Sequence, residues 1–147
     1  IPAEVAELAA EFKGWHPHVT EIINAVPQKD LFKWALCARS SLMRWVKGRA
    51  AVLGDAAHPL LPYLGQGAVM AIEDAVLLAR AFQAAPDITE ALARYEGSRV
   101  GRARLVVERS SAQVPIFHSD DPDAFHHDLP PDEALGLFRY NPAQVPV

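Results

Sequence analysis

The stretch that most constrains this chain is GRAAVLGDAAHPLLPYLGQG, residues 48–67. An apolar run, Ala50-Ala51-Val52-Leu53, leads within two residues to the ionisable Asp55, and a loop bearing Pro and Gly then opens onto GAVMAIEDAVLLARAF. The run has no polar alternation, which predicts a short strand buried on both faces, as in a parallel sheet. A carboxylate at the end of such a strand is costly unless protein, metal or a ligand hydrogen-bonds it. The segment from Gly67 to about Ala84 is Ala-rich and free of internal Gly and Pro, and predicts a helix with Val69, Ile72, Ala75 and Leu78 on its buried side. Open α/β sheets bind ligands at this point, outside a strand's carboxyl end. The helix's leading N–H groups favour an anion, and Gly65 and Gly67 let a flat group approach the backbone with no Cβ in the way. Asp55 can accept hydrogen bonds from the vicinal hydroxyls of a ribose-like or ribitol chain. Together these parts describe a site for a planar, polyol-linked molecule that carries negative charge.

The flanks supply helices and little sheet. Val5, Leu8, Ala9 and Phe12 recur at helical spacing, with Gly14 as a stop. Val19, Ile22, Ile23 and Val26 repeat the pattern up to Pro27. DLFKWALCAR predicts a strand with Phe32, Trp34 and Leu36 on one face. Asp87 followed by Glu90 makes a capping-box-like start to a further helix. Its stripe runs through Ile88, Leu92, Tyr95, Leu105, Val106 and Arg109, with a break expected near Gly97 and Gly101. The tail LGLFRYNPAQVPV is apolar and is expected to dock on the body, and Trp15, Trp34 and Trp45 read as core anchors.

At 147 residues the chain is the size of one domain. It opens at Ile1, without Met, directly into helical pattern, as a piece of a longer protein would. A net charge of -4 gives no electrostatic reason to expect nucleic acid or an anionic membrane. No apolar run approaches the ~20 residues that span a bilayer. The single cysteine, Cys37, rules out an internal disulfide and suits a cytoplasmic location. Asp55 and His58 could start a metal site, but no third ligand follows at a recognisable spacing, so no metal is expected. His58, in a His-Pro pair, reads as a structural residue of a tight loop. His118, Asp120, Asp121, Asp123, His126, His127 and Asp128 read as a solvated acidic loop. Arg94, Arg99, Arg102, Arg104 and Arg109, interleaved with Glu90, Glu96 and Glu108, read as a solvated face or the packing face of a homodimer.

GRAAVLGDAAHPLLPYLGQGAVMAIEDAVLLA resembles the second flavin-binding motif of the FAD-dependent aromatic hydroxylases, single-component flavoprotein monooxygenases of the salicylate and 6-hydroxynicotinate hydroxylase type. GWHPHV, KWAL, RW, ALARYEGSRVGRA and LFRYN look like segments of the same group. The resemblance implies an α/β protein, α+β in this piece: the C-terminal part of a glutathione-reductase-like FAD-binding fold, mostly helical with a few strands. Residues 1–47 would end the substrate domain, 48–85 would be the flavin motif, and 86–147 the C-terminal helices, acidic loop and tail. Asp55 would hold the ribitol hydroxyls of FAD, with Gly54 leaving room for that chain. The backbone of Gly65, Gln66, Gly67 and Ala68 would face the pyrimidine end of the flavin ring, where the helix dipole favours the reduced anion by about 0.3–2 kcal/mol. Pro62 would sit beside the reactive edge, its carbonyl orienting the reacting groups, with Tyr63 either lining the site or filling the loop.

The implied reaction takes electrons from NADH or NADPH and oxygen from O2 to hydroxylate an aromatic small molecule, a phenolic or hydroxypyridine carboxylate. Val69 stands where many relatives carry an Asn that contacts the flavin, and Tyr140-Asn141 replaces an expected Tyr-Asp. The family's first motif, Gly-x-Gly-x-x-Gly, is absent from these residues, so the piece alone is expected to be inactive and to bind FAD weakly or not at all. A different class stays open: a helical interaction module that keeps the flavin motif as a remnant.

Overall fold

Helix formation dominates wherever the chain carries long stretches of Ala, Leu, Arg and Glu. The structure, a computed structural model, describes residues 1–121, 123 and 136–147, and these fall into two compact units, Ile1–Leu36 and Cys37–Val147.

The first unit holds helices α1 (Val5–Glu11) and α2 (Pro17–Asn24) and a 3-10 turn at Gln28–Asp30. Both helices lie where the apolar spacing put them. The strand expected over DLFKWALCAR does not form. Phe32 makes one isolated antiparallel bridge with Pro2, and Phe32, Trp34 and Leu36 stand exposed. A strand needs a partner for its ladder, and the pairing described for this segment goes no further than that one bridge.

In the second unit, β1 (Val46–Lys47) and β2 (Ala50–Ala51) form a two-stranded antiparallel hairpin with Val46 opposite Ala51 and Lys47 opposite Ala50. This corrects the expectation of a parallel strand buried on both faces. The turn at Gly48–Arg49 folds the preceding residues back onto the run, so local pairing satisfies its backbone, and Ala50 is exposed. Helix α3 (Gly67–Ala84) has the predicted bounds and packs against α4 (Ile88–Ser111). Asp87 caps α4 by accepting the Thr89 and Glu90 N–H groups at 2.8 and 3.0 Å. The break expected at Gly97 and Gly101 is not there. The helix runs through both glycines for 24 residues, because packing on α3 outweighs the roughly 1 kcal/mol that each costs against Ala. A short α5 (Val114–Phe117) follows.

The second correction concerns α3's buried face. It consists of Met70, Glu73, Asp74, Leu77 and Ala81, while Val69 and Ile72 are 43% and 64% exposed. The helix is rotated by about one residue, roughly 100°, from the expected orientation. Two carboxylates thereby enter the core, where α4 meets them with Arg99 and Arg102, both buried. The arginine face is therefore not solvated throughout: Arg104 is exposed, and Arg99 and Arg102 point inward. The core around them comprises Trp45, Ala57, Met70, Leu77, Ala81, Tyr95, Ala103, Val106 and Leu137. Trp45 is an anchor as expected; Trp15 and Trp34 are not, at 61% and 86% exposure. The tail docks as expected. Leu137 enters the core, Val145 and Val147 pack on it, and Arg80 donates to the carbonyls of Pro142 (2.6 Å) and Val145 (2.7 Å). Among the described residues no helix is long and apolar enough to cross a membrane.

Candidate functional site

The site is the loop between β2 and α3, residues 52–66, held from behind and bare in front. Gly54 adopts φ +56, a left-handed conformation that other residues rarely take. It starts a 3-10 turn, Gly54–Ala56, in which its carbonyl accepts the N–H groups of Ala57 and His58, both at 2.9 Å. A second 3-10 turn, Pro62–Leu64, closes through the Gly65 N–H donating to the Pro62 carbonyl at 2.9 Å. Gly65, at φ +63, then reverses the chain into α3.

On the front, Asp55 is exposed, and among the described residues no hydrogen bond or ion pair reaches its carboxylate. No side chain caps α3, whose first intrahelical bond is Met70 N–H to the Gln66 carbonyl at 2.9 Å. The N–H groups at the head of α3 are thus available to an acceptor. A Cβ built on Gly65 or Gly67 would meet nothing within 4 Å, so the backbone here borders open space. Ala68 is exposed beside them, while Gln66 is buried and donates weakly to the Leu64 carbonyl at 3.3 Å. Pro62 is exposed. The structure therefore puts Asp55 and the head of α3 at the two ends of one loop, with the Asp55 carboxylate and the Gly67 and Ala68 amides left without partners among the described residues. A polyol-linked planar anion fits such a surface: a free carboxylate for hydroxyls, free amides for negative charge, and no side chain in the way.

The back is dense. Asp74 accepts the Gly54 N–H at 2.7 Å and contacts His58 Nε2 at 2.7 Å, both through Oδ2, and takes Arg99 Nε at 2.7 Å on Oδ1. Arg99 also donates to Glu73 (2.8 Å) and to the Tyr140 hydroxyl (3.2 Å). Arg102 binds Glu73 at 3.1 Å and donates to the carbonyls of Gly136 and Leu137, and its guanidinium lies 4.5 Å from the Tyr140 ring centre. Asp74, His58 and Arg99 are fully buried. Burial alone would raise the Asp74 carboxyl. The hydrogen bonds from His58, Gly54 and Arg99, with the Arg99 charge, outweigh it and hold the carboxyl below its ordinary value. The neighbouring Tyr95 hydroxyl is pushed far up, by burial and then by the Asp74 charge.

Further ties complete the cradle. Arg39 donates to the carbonyls of Ala56 (2.6 Å) and Ala57 (3.2 Å), and the Ser110 hydroxyl to that of Leu61 (2.6 Å). Glu96 accepts the N–H groups of Trp45 and Val46, fixing the hairpin to α4. Tyr63 fills the loop's flank, stacking on Phe117 with ring centres 4.7 Å apart and meeting His118 Nε2 at 2.9 Å through its hydroxyl.

His58 is the structural residue that its His-Pro setting suggested, with its ring 5.4 Å from Trp45. Among the described residues no cluster of three or more His, Cys, Asp or Glu could hold a metal, and His126, His127 and Asp128 lie outside those residues. Sequence reasoning missed Glu73, Asp74, Arg99 and Arg102 as supports of the loop. The available signal was an adjacent Glu-Asp pair in an otherwise apolar helix, matched by two arginines three residues apart in the next.

Residues 11–110 match the family model described as FAD binding domain. Over 132 residues the chain is 40% identical to 6-hydroxynicotinate 3-monooxygenase of Bordetella bronchiseptica, covering 88% of this chain and 34% of that protein. The crystal structure of Klebsiella pneumoniae HpxO complexed with FAD and uric acid superposes with a TM-score of 0.72 at 33% identity, covering 86% of this chain and 33% of the other. The crystal structure of FqzB superposes at 0.81 with 30% identity, covering 96% and 35% respectively. The chain spans about a third of the length of the relatives it matches.

Proposed function

The chain belongs to the FAD-binding domain family, and from that premise we propose that the protein carrying it is an FAD-dependent monooxygenase that hydroxylates a phenolic or hydroxypyridine carboxylate. The observation that carries this is the pairing of an exposed, unpartnered Asp55 with the uncapped head of α3 on one rigidly backed loop. Similarity to a 6-hydroxynicotinate hydroxylase and to an FAD-bound structure supports the substrate class and the cofactor. Bound FAD supplies the chemistry by which NADH or NADPH, with O2, yields a ring hydroxyl and water.

The chain's own contribution is position and charge. Asp55 accepts hydrogen bonds from the ribitol hydroxyls, and Gly54, in a left-handed conformation that other residues rarely take, starts the turn that presents it. The backbone from Gly65 to Ala68 faces the electron-rich pyrimidine rim, and the amides of Gly67 and Ala68 at the head of α3 meet it with the positive end of a helix dipole. Pro62 borders the substrate side of the ring. In this reading the chain is the C-terminal part of a glutathione-reductase-like FAD-binding fold, residues 1–47 end the substrate domain, and the enzyme is cytoplasmic. Taken alone, the piece is inactive, because the contacts to the ADP half of FAD come from elsewhere.

The full-length protein provides the test. It should purify yellow, bind FAD, and consume NADH or NADPH faster with a hydroxypyridine or phenolic carboxylate, releasing a product one oxygen heavier. A folded full-length protein that binds no FAD would sink the proposal. Residues 1–147 alone should bind FAD with a Kd well above micromolar.

A further inference from the structure

We infer that Asp74 is a positioning residue for the cofactor loop: without reaching FAD, it sets the direction in which Asp55 is presented. The inference rests on the reading that Asp55 meets FAD. Gly54 and Asp55 are neighbours with opposite environments, the first buried and the second exposed. What holds Gly54 inward is its N–H on Asp74 Oδ2 at 2.7 Å. The other end of the same turn, His58, is tied to the same oxygen at 2.7 Å. One atom thus grips both ends of a five-residue segment, and Asp55 lies between them.

The second oxygen of Asp74 is engaged by Arg99 at 2.7 Å, so the carboxylate cannot pivot without breaking a charged hydrogen bond. Arg99 is itself locked by Glu73 and Tyr140. The sulfur of Met70 and the Met70 carbonyl complete its surroundings, at 3.6 and 3.3 Å. An asparagine at position 74 keeps the size but offers one acceptor oxygen to three donors. Its amide nitrogen must face either Arg99 or the Gly54 N–H and His58, so the variant loses either the charged bond that stops the side chain from pivoting or a direct tie to the loop, and in both cases the Asp55 segment gains freedom.

The test uses the full-length protein and three readouts: FAD affinity of the apoprotein by fluorescence quenching, amide hydrogen exchange over residues 54–58, and melting temperature. Asp74→Asn should raise the Kd for FAD tenfold or more, equivalent to about 1.4 kcal/mol, and accelerate exchange over 54–58. Leu92→Ala is the control, since Leu92 is buried on α4 outside the core cluster that includes Ala57. It should lower the melting temperature at least as far and leave the FAD Kd within twofold. Equal weakening by both variants, or a Kd within twofold for Asp74→Asn, overturns the inference. Should Asp74→Asn fail to fold, His58→Leu removes one of the two loop ties while keeping an apolar side chain of similar bulk, and it should weaken FAD severalfold; an unchanged Kd overturns the idea equally. A wild-type protein that binds no FAD would instead count against the functional reading. Exchange over 54–58 in Asp74→Asn then decides the inference alone, and unaltered exchange refutes it.

Discussion

Asp55 and Asp74 share a side chain and stand on opposite sides of one loop. Asp55 is in water with no partner. Asp74 is sealed in the core with three donors on its two oxygens. A charge in the first setting costs the protein almost nothing and is free for a ligand. A charge in the second is tolerable only while every partner stays in place. The difference teaches that a site of this kind has two halves with separate rules: the front leaves its carboxylate without a partner, and the back gives a partner to each oxygen of its two buried carboxylates. Substitutions that exchange those conditions should therefore have very unequal effects.

The largest effect should come from Arg99. Replacing it with Met leaves Asp74 and Glu73 in the core with a cation missing, and should cost about 3–5 kcal/mol in chemical denaturation of the protein. Adding Asp74→Leu to Arg99→Met should recover part of that loss, since the unpaired charge goes with it. A double variant no more stable than the single would break the view that the penalty is electrostatic. Acid should act on the same group. Because the Asp74 carboxyl is held below its ordinary value of 3.8, its charged form favours the folded state. That stabilisation is complete above the ordinary value and lost as pH falls through the lower folded-state value. Melting curves from pH 6 to below 3 should show an acid-labile limb in wild type that is flattened in Asp74→Asn.

The two halves were also unequally legible in the sequence. The local geometry of the front was readable, because a turn, a left-handed glycine and a helix start lie in one continuous stretch around Asp55 and Gly65–Ala68. The back was not. Periodicity assigns apolar residues to the core, so it favoured Val69 and Ile72 over Glu73 and Asp74 and rotated α3 away from its true face. The partners that make two buried carboxylates acceptable, Arg99 and Arg102, lie on another helix, and no local spacing announces that pairing. The strand misreadings have a related cause. The run from Ala50 to Leu53 reads as a fully buried strand because it lacks polar alternation, whereas only Ala50–Ala51 forms a strand, in a hairpin with Val46–Lys47, with Ala50 exposed. The extent of α3 and the cap at Asp87 depend on neighbouring residues alone, and both fell where expected.

Tyr140 sharpens the comparison from the tail's side. Its ring covers the Arg102 guanidinium and its hydroxyl accepts from Arg99. Tyr140→Ala should cost about 1–2 kcal/mol through the lost cation–π contact. Tyr140→Phe keeps the ring and should cost about 0.5–1 kcal/mol, the worth of one hydrogen bond. If the two variants are equally destabilised, the ring contributes nothing to the back of the site, and the network ends at Arg99.

The smallest effect on stability should come from Asp55, the residue proposed to meet the ribitol chain. Asp55→Asn removes a charge that touches nothing in the protein, so unfolding free energy should stay within about 0.5 kcal/mol of wild type. In the full-length protein the same change should weaken FAD by more than tenfold, because an amide accepts hydroxyls less well than a carboxylate. Denaturation and FAD titration on the same preparation check both halves of that statement. The pairing of outcomes is what the proposed role of the front requires: if a group left unsatisfied by the fold finds its partner in the ligand, its removal is felt in binding and not in folding. A marked loss of stability in Asp55→Asn would mean that the fold already uses this carboxylate, and the division between front and back would fail where it is drawn most sharply.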